Sequence, residues 1–133
     1  MISRRRPARR APRRPRTSFY ACLVAGGELD GVRVLAAATV DRGRRLLRRG
    51  TSPRWGTPMA YGTGFELHTE LEVFGPRGDA FGHAGAGGSR HGGWPSGQVG
   101  FSYAMNEARV DLPDPRPRAL LAALHSATEH LGR

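Results

Sequence analysis

The stretch Gln98–Asn106, QVGFSYAMN, alternates strictly. Val99, Phe101, Tyr103 and Met105 fall on one face of an extended chain, and Gly100, Ser102 and Ala104 fall on the other. A period of two makes it a strand. The bulky face calls for a core, and a face of Gly, Ser and Ala lets a helix lie close. The strand is therefore expected to be covered on both sides.

Downstream, the chain reads as a helix. Asp114 is placed to cap it, and Pro115 suits its first position. Leu120, Leu124, Ala127 and Leu131 recur at spacings of four, three and four, which gives one apolar stripe, and Gly132 is a stop. Upstream, "RHGGWPSG" (Arg90–Gly97) holds a turn at Trp94-Pro95 but no apolar run, so a short strand or a loop is expected. "AFGHAGAGG" (Ala80–Gly88) is a strand candidate behind a turn at Pro76–Asp79. "MAYGTGFELH" (Met59–His68) reads as one strand ending near His68, and Arg48–Pro58 reads as loop. Ala36–Leu47 is a helical stretch interrupted by Gly43. Asp30-Gly31 signals a tight turn, with Val32 and Val34 alternating around Arg33. A first helix, capped by Thr17 or Ser18, is expected to turn Phe19, Leu23 and Val24 inward and to stop at Gly26-Gly27. Helices, then strands, then a helix give an α+β class, an antiparallel sheet with flanking helices.

The chain has 133 residues, room for one domain with a modest core. Its formal charge is +10, and residues 1–16 carry eight Arg and no acid. Without them thirteen basic residues face eleven acidic ones, so the basicity is a tail. With three prolines among the arginines, residues 1–18 are expected to be disordered, and 19–133 to form the domain. There is no Lys, which excludes Schiff bases, P-loop lysines and Ser-x-x-Lys nucleophiles. Cys22 is alone, so no internal disulfide forms. No apolar run approaches ~20 residues and no export signal is read, so a cytoplasmic protein without membrane contact is expected.

The glycines at 82, 85, 87 and 88 invite a phosphate-loop reading, and the residues refuse it. Gly85 and Gly87 fit a dinucleotide fingerprint, but Arg90 stands at its third glycine and no helix follows. His68, His83 and His91 lack metal-ligand spacing. His68 and His91 read as ordinary surface or core histidines, and His125 and His130 as residues on the solvent side or end of the last helix. No cofactor is expected. The eight-Arg arm makes nucleic acid an alternative partner, although the body shows no matching basic patch or stacking platform.

Five segments in order resemble the serine β-lactamase and penicillin-binding-protein superfamily, in particular its class-C-like members and esterase relatives. They are "FYACLVAGGELDGVRVLAAATV" (Phe19–Val40), "YGTGFEL" (Tyr61–Leu67), "FGHAGAGGS" (Phe81–Ser89), "VGFSYAMN" (Val99–Asn106) and "DPRPRALLAAL" (Asp114–Leu124). The third resembles the superfamily's third active-site motif, with His in place of Lys. The resemblance implies an edge strand beside a cleft. His83 would take the place of the motif's cation, Gly85 would keep the backbone bare for substrate, and the Ala86 N–H would be one oxyanion donor. A glycine-rich edge strand that serves packing alone is the reading without the resemblance.

Two of the superfamily's motifs are missing. Without Lys there is no Ser-x-x-Lys, and Tyr20, Tyr61 and Tyr103 are not followed two residues later by Asn. The resemblance thus implies an incomplete β-lactamase/transpeptidase-like fold, the C-terminal portion of an amide or ester hydrolase, inactive alone. A small-molecule amide or ester is the substrate if a second chain completes the site. Val99, Phe101 and Tyr103, or the small face behind them, would be exposed without such a chain. That implies marginal stability, checked by a thermal transition below roughly 50 °C.

Overall fold

A computed structural model describes residues 17–109 and 114–131. Residues 1–16, the side chains of Thr17, Ser18 and Leu131, and Gly132 lie outside that description, and with them the tail, the expected cap, the last stripe residue and the stop. The chain forms α1 (Thr17–Val24), β1 (Glu28–Leu29), β2 (Val32–Arg33), α2 (Ala37–Arg44) and then six further strands. These are β3 (Arg48–Thr51), β4 (Pro58–Tyr61), β5 (Glu66–Leu67), β6 (Phe81–Ala84), β7 (Arg90–Trp94) and β8 (Val99–Tyr103), followed by α3 (Pro115–Leu131). β3 to β8 pair antiparallel in sequence order, so the α+β class read from the sequence holds.

The sheet separates two cores. On one face Tyr20, Leu23 and Val24 of α1 and Val40 of α2 close over Phe81, with Phe65 and Leu67 at the margin. On the other, Phe74, Ala80, Trp94, Phe101 and Leu121 pack together, with Val99 and Leu124 beside them. The split follows from the strand period: Phe81 pairs with Gly93 and Gly93 with Gly100, all on the α1 side. A Cβ at Gly100 would overlap the Ala21 backbone, and one at Gly93 would strike Val24. The small face read from the sequence is thus the seat of α1.

Several expectations need correction. "RHGGWPSG" holds a full strand, β7, as long as β8 and paired along its whole length. It needs no apolar side chains at Gly92 and Gly93, because the Phe101 ring and Val24 fill those places. "MAYGTGFELH" is two strands with a turn at Gly62–Phe65, closed by Gly62 N–H to Phe65 O at 2.9 Å. Arg48–Thr51 is a strand rather than loop, stabilised by its ladder to β4. α2 stops at Arg44, short of Leu47. In α1, Phe19 faces out and Tyr20 faces in. In α3 Leu121 and Pro117 are buried and Leu120 is exposed, so of the stripe read from the sequence Leu124 packs inward and Leu120 does not. Phe101 is buried and Val99 half-buried beneath α3, so this chain itself covers the part of the sheet expected to be bare. Exposed apolar side chains lie elsewhere, at Val32, Val34, Leu47 and Trp55.

Asp30 and Gly31 both take positive φ, 51° and 78°, the backbone of the tight hairpin turn between β1 and β2. Gly26 and Gly27 end α1 with φ of 76° and 88°, the Gly27 N–H donating to Cys22 O at 2.8 Å. Asp114 caps α3: its Oδ1 accepts the Arg116 N–H at 3.0 Å, and the Arg116 guanidinium reaches Oδ2 at 2.7 Å. The Arg116 side-chain hydrogen bonds hold the Asp114 carboxyl down to about 2. Its folded value lies below the ordinary 3.8, so its contribution to stability is complete above that value and is lost as pH falls through about 2. Urea-unfolding midpoints are expected to drop between about pH 5 and about pH 2, and Asp114→Asn to flatten that acid limb. An unchanged limb in the variant would assign it to other carboxylates.

Candidate active site

β6 is not the sheet edge that the resemblance implied, since it lies between β5 and β7. β5 is only two residues long, however, and pairs with Phe81 and Gly82 alone. From His83 onward one side of β6 is free of a ladder partner. His83 stands at the start of this open half-edge, its side chain 63 % exposed.

The glycines that follow are bare for reasons within the chain. A Cβ at Gly82 would overlap the His91 carbonyl oxygen, and one at Gly85 the Ser89 hydroxyl. At Gly87 it would meet Ala108, at Gly88 the Asp114 carboxylate, and both residues take positive φ, 86° and 116°. Gly85–Gly88 is a turn, closed by Gly88 N–H to Gly85 O at 3.2 Å and by Gly85 N–H to Ser89 O at 3.0 Å. Gly85 thus lies just past the strand, and its missing side chain makes room for Ser89. The Ala86 N–H takes no backbone partner among the described residues, and Ala86 is exposed. The turn therefore offers a free amide three residues from an exposed imidazole.

Behind His83 is a polar cluster that the sequence did not announce. His83 Nδ1 lies 3.6 Å from Glu66 Oε1, beyond hydrogen-bond length but within strong electrostatic reach. Burial pushes the Glu66 carboxyl above its ordinary value, while His83, the Ala84 N–H and Arg90 hold it back. Burial, and after it the Glu66 charge, pushes up the Tyr20 and Tyr61 hydroxyls. Arg90 is itself buried; desolvation lowers it, and the Asp114 and Glu66 carboxylates oppose that. Glu66 is thus the shared neighbour of His83, Arg90 and two tyrosines. One signal could have exposed it: a lone acid between the apolar Phe65 and Leu67 of "GFELH".

The remaining histidines are placed as follows. His91 Nδ1 meets the Ser102 hydroxyl at 2.7 Å, directly across β7 and β8. His68 is half-buried just after β5. His125 is not on the solvent side, because its ring stands edge-on to Trp94 at 5.9 Å. His130 Nδ1 approaches Ser126 O at 2.7 Å, near the end of α3. No group of three metal-ligating side chains occurs among the described residues. No helix among them is long and apolar enough to cross a membrane.

Two of the solved structures similar to this chain are described by name. One is a family VIII carboxylesterase, with a TM-score of 0.75 and 31 % identity, over 84 % of this chain and 30 % of that one. The other is a penicillin-binding protein homologue from Caulobacter crescentus, with a TM-score of 0.78 and 30 % identity, over 83 % of this chain and 30 % of that one. This chain spans about 30 % of the length of either relative. No family model and no curated protein matches it.

Proposed function

Because this chain belongs to the serine β-lactamase and penicillin-binding-protein-like superfamily, as the counterpart of the C-terminal portion of its domain, we propose that it forms one wall of an amide- or ester-hydrolysing cleft. The observation that supports this most directly is the open half of β6, where exposed His83 is followed by the unpartnered Ala86 N–H. In this reading His83 donates a hydrogen bond to the substrate or leaving group, and the Ala86 N–H takes the developing oxyanion. Gly85 contributes by admitting Ser89, which sets the turn that aims the Ala86 amide. Glu66 is a positioning residue that acts through His83.

The attacking serine and its lysine are supplied by a segment other than these 133 residues, which contain no Lys. That segment belongs to the rest of a longer protein or to a second chain. The substrate is a small amide or ester, and the chain is hydrolytically inactive alone.

Nitrocefin and p-nitrophenyl acetate assays on the isolated chain test this, with a reactive fluorophosphonate as a probe for an activated serine. Turnover at the buffer rate and no labelling are expected. Turnover abolished by Ser102→Ala would instead make the His91–Ser102 pair the nucleophile and end the claim that the serine comes from elsewhere. The positive arm is a chimera in which residues 17–131 replace the matched part of the carboxylesterase. Ester hydrolysis by that chimera is expected.

A further inference from the structure

At the other end of β6 from His83, beside Ala80, the surface opens into a cavity of about 160 Å³. Its polar walls are Arg44, Arg49, His68 and Asp79, with Leu46 and Leu67 beside them. The three basic residues come from the end of α2, from β3 and from the residue after β5, so the fold gathers them from separate elements.

Each of these donors is under-used. The Arg44 guanidinium lies over the Phe81 ring at 4.8 Å, and the carboxylate it meets, Asp41, is 3.8 Å away, too far for a hydrogen bond. Arg49 makes one long bond, from Nη2 to His68 O at 3.4 Å. His68 Nδ1 is buried without a hydrogen-bond partner. The carboxylate in the wall, Asp79, is already engaged: Oδ2 accepts the Ser96 N–H at 2.6 Å and Oδ1 the Ser96 hydroxyl at 3.0 Å. What remains is a concave site with two under-used guanidinium groups and the His68 ring in its wall.

We propose that this cavity binds a phosphate group, either as the free ion or as a monoester on a larger ligand. The two guanidinium groups outnumber the one carboxylate in the wall, Asp79, and their planar forks suit the tetrahedral oxygens of a phosphate. A phosphate has oxygens enough to engage both forks at once, whereas the two oxygens of a carboxylate fill one. The site is separate from the cleft at His83 and does not depend on the hydrolase reading.

The full chain is titrated at constant ionic strength with inorganic phosphate, phenyl phosphate and acetate, followed by calorimetry and by the His68 ring signals in NMR. Saturable phosphate binding that shifts those signals is expected, with acetate weaker by at least about tenfold. Arg49→Gln is expected to weaken phosphate by about tenfold or more, and Arg48→Gln, its exposed neighbour outside the cavity, to change it by less than about twofold. Tighter binding of phenyl phosphate marks a monoester site, and tighter binding of the inorganic ion marks a free-phosphate site. No saturable shift of the wild-type His68 signals below about 10 mM phosphate overturns the proposal, whatever the variants do. Equal weakening by the two arginine variants also overturns it, because the attraction would then be diffuse.

Discussion

Trp94→Ala is expected to destabilise the fold by about 3–5 kcal/mol, the largest effect of a single side chain here. Trp94 is fully buried, at 0 % exposure. Its ring packs against Phe101 at 5.5 Å and edge-on against His125 at 5.9 Å, with the Arg77 guanidinium 6.0 Å from its centre. The neighbouring backbone is shaped around it, since a Cβ at Gly75 would strike the indole. Truncation leaves a cavity that the paired strands on both sides of β7 cannot close. It also orphans the Phe74 carbonyl, which accepts the indole N–H at 2.6 Å. Trp94→Phe restores much of the packing but not that hydrogen bond, so an intermediate loss is expected. Urea unfolding measures all three proteins. The other tryptophan, Trp55, is 56 % exposed, so the blue-shifted part of the fluorescence reports Trp94. A loss of less than about 1 kcal/mol in the Ala variant would mean that the second core is not cooperative with the sheet.

Trp94 also shows what the sequence could and could not reveal. By sequence alone its segment is a short strand or a loop, because Gly92 and Gly93 give no apolar signal. The apolar matter over those glycines belongs to Phe101 and Val24, distant in sequence and near only through register and helix docking. Period-two alternation marked β8 directly, because its own side chains carry the pattern. The Asp30-Gly31 turn and the Asp114-Pro115 helix start were legible for the same reason: local chemistry alone determines them. The phase of α3 was not, since Leu120 and Leu121 are adjacent and only packing against Trp94 and Phe101 chooses between them.

The candidate site divides in the same way. His83, Gly85 and Ala86 lie in one short motif, so a resemblance to a known motif is enough to single them out. Glu66 and Arg90 are brought in by cross-strand pairing, Glu66 opposite Gly82 and Arg90 opposite Ala84. Register of this kind has no local signature, because a slip of one residue would send every side chain to the other face. The glycines carry a sharper lesson. Their density suggested a backbone left open to substrate, whereas at all four positions the chain itself, not solvent, occupies the place of the missing side chain. The opening toward a ligand comes instead from the shortness of β5.

In the carboxylesterase chimera, His83→Ala is expected to lower kcat/KM for p-nitrophenyl acetate by about a hundredfold to a thousandfold, the usual cost of losing one donor aimed at developing charge. The loss should fall mainly on kcat, because the hydrogen bond strengthens as charge develops and contributes little to ground-state binding. Glu66→Gln should act differently. It leaves the imidazole in place and removes the carboxylate 3.6 Å from Nδ1. Burial has raised the Glu66 carboxyl, so the wild-type site loses this charge as pH falls through the raised value and regains it above. The wild-type chimera is therefore expected to lose activity on the acid side through Glu66. The Gln variant should show the low-pH rate at all pH values on that limb, with KM little changed. Circular dichroism must show both variants folded. His83→Ala with less than about a threefold loss would remove His83 from the chemistry. An acid limb that persists in Glu66→Gln would assign that titration to a group outside the His83–Glu66 pair.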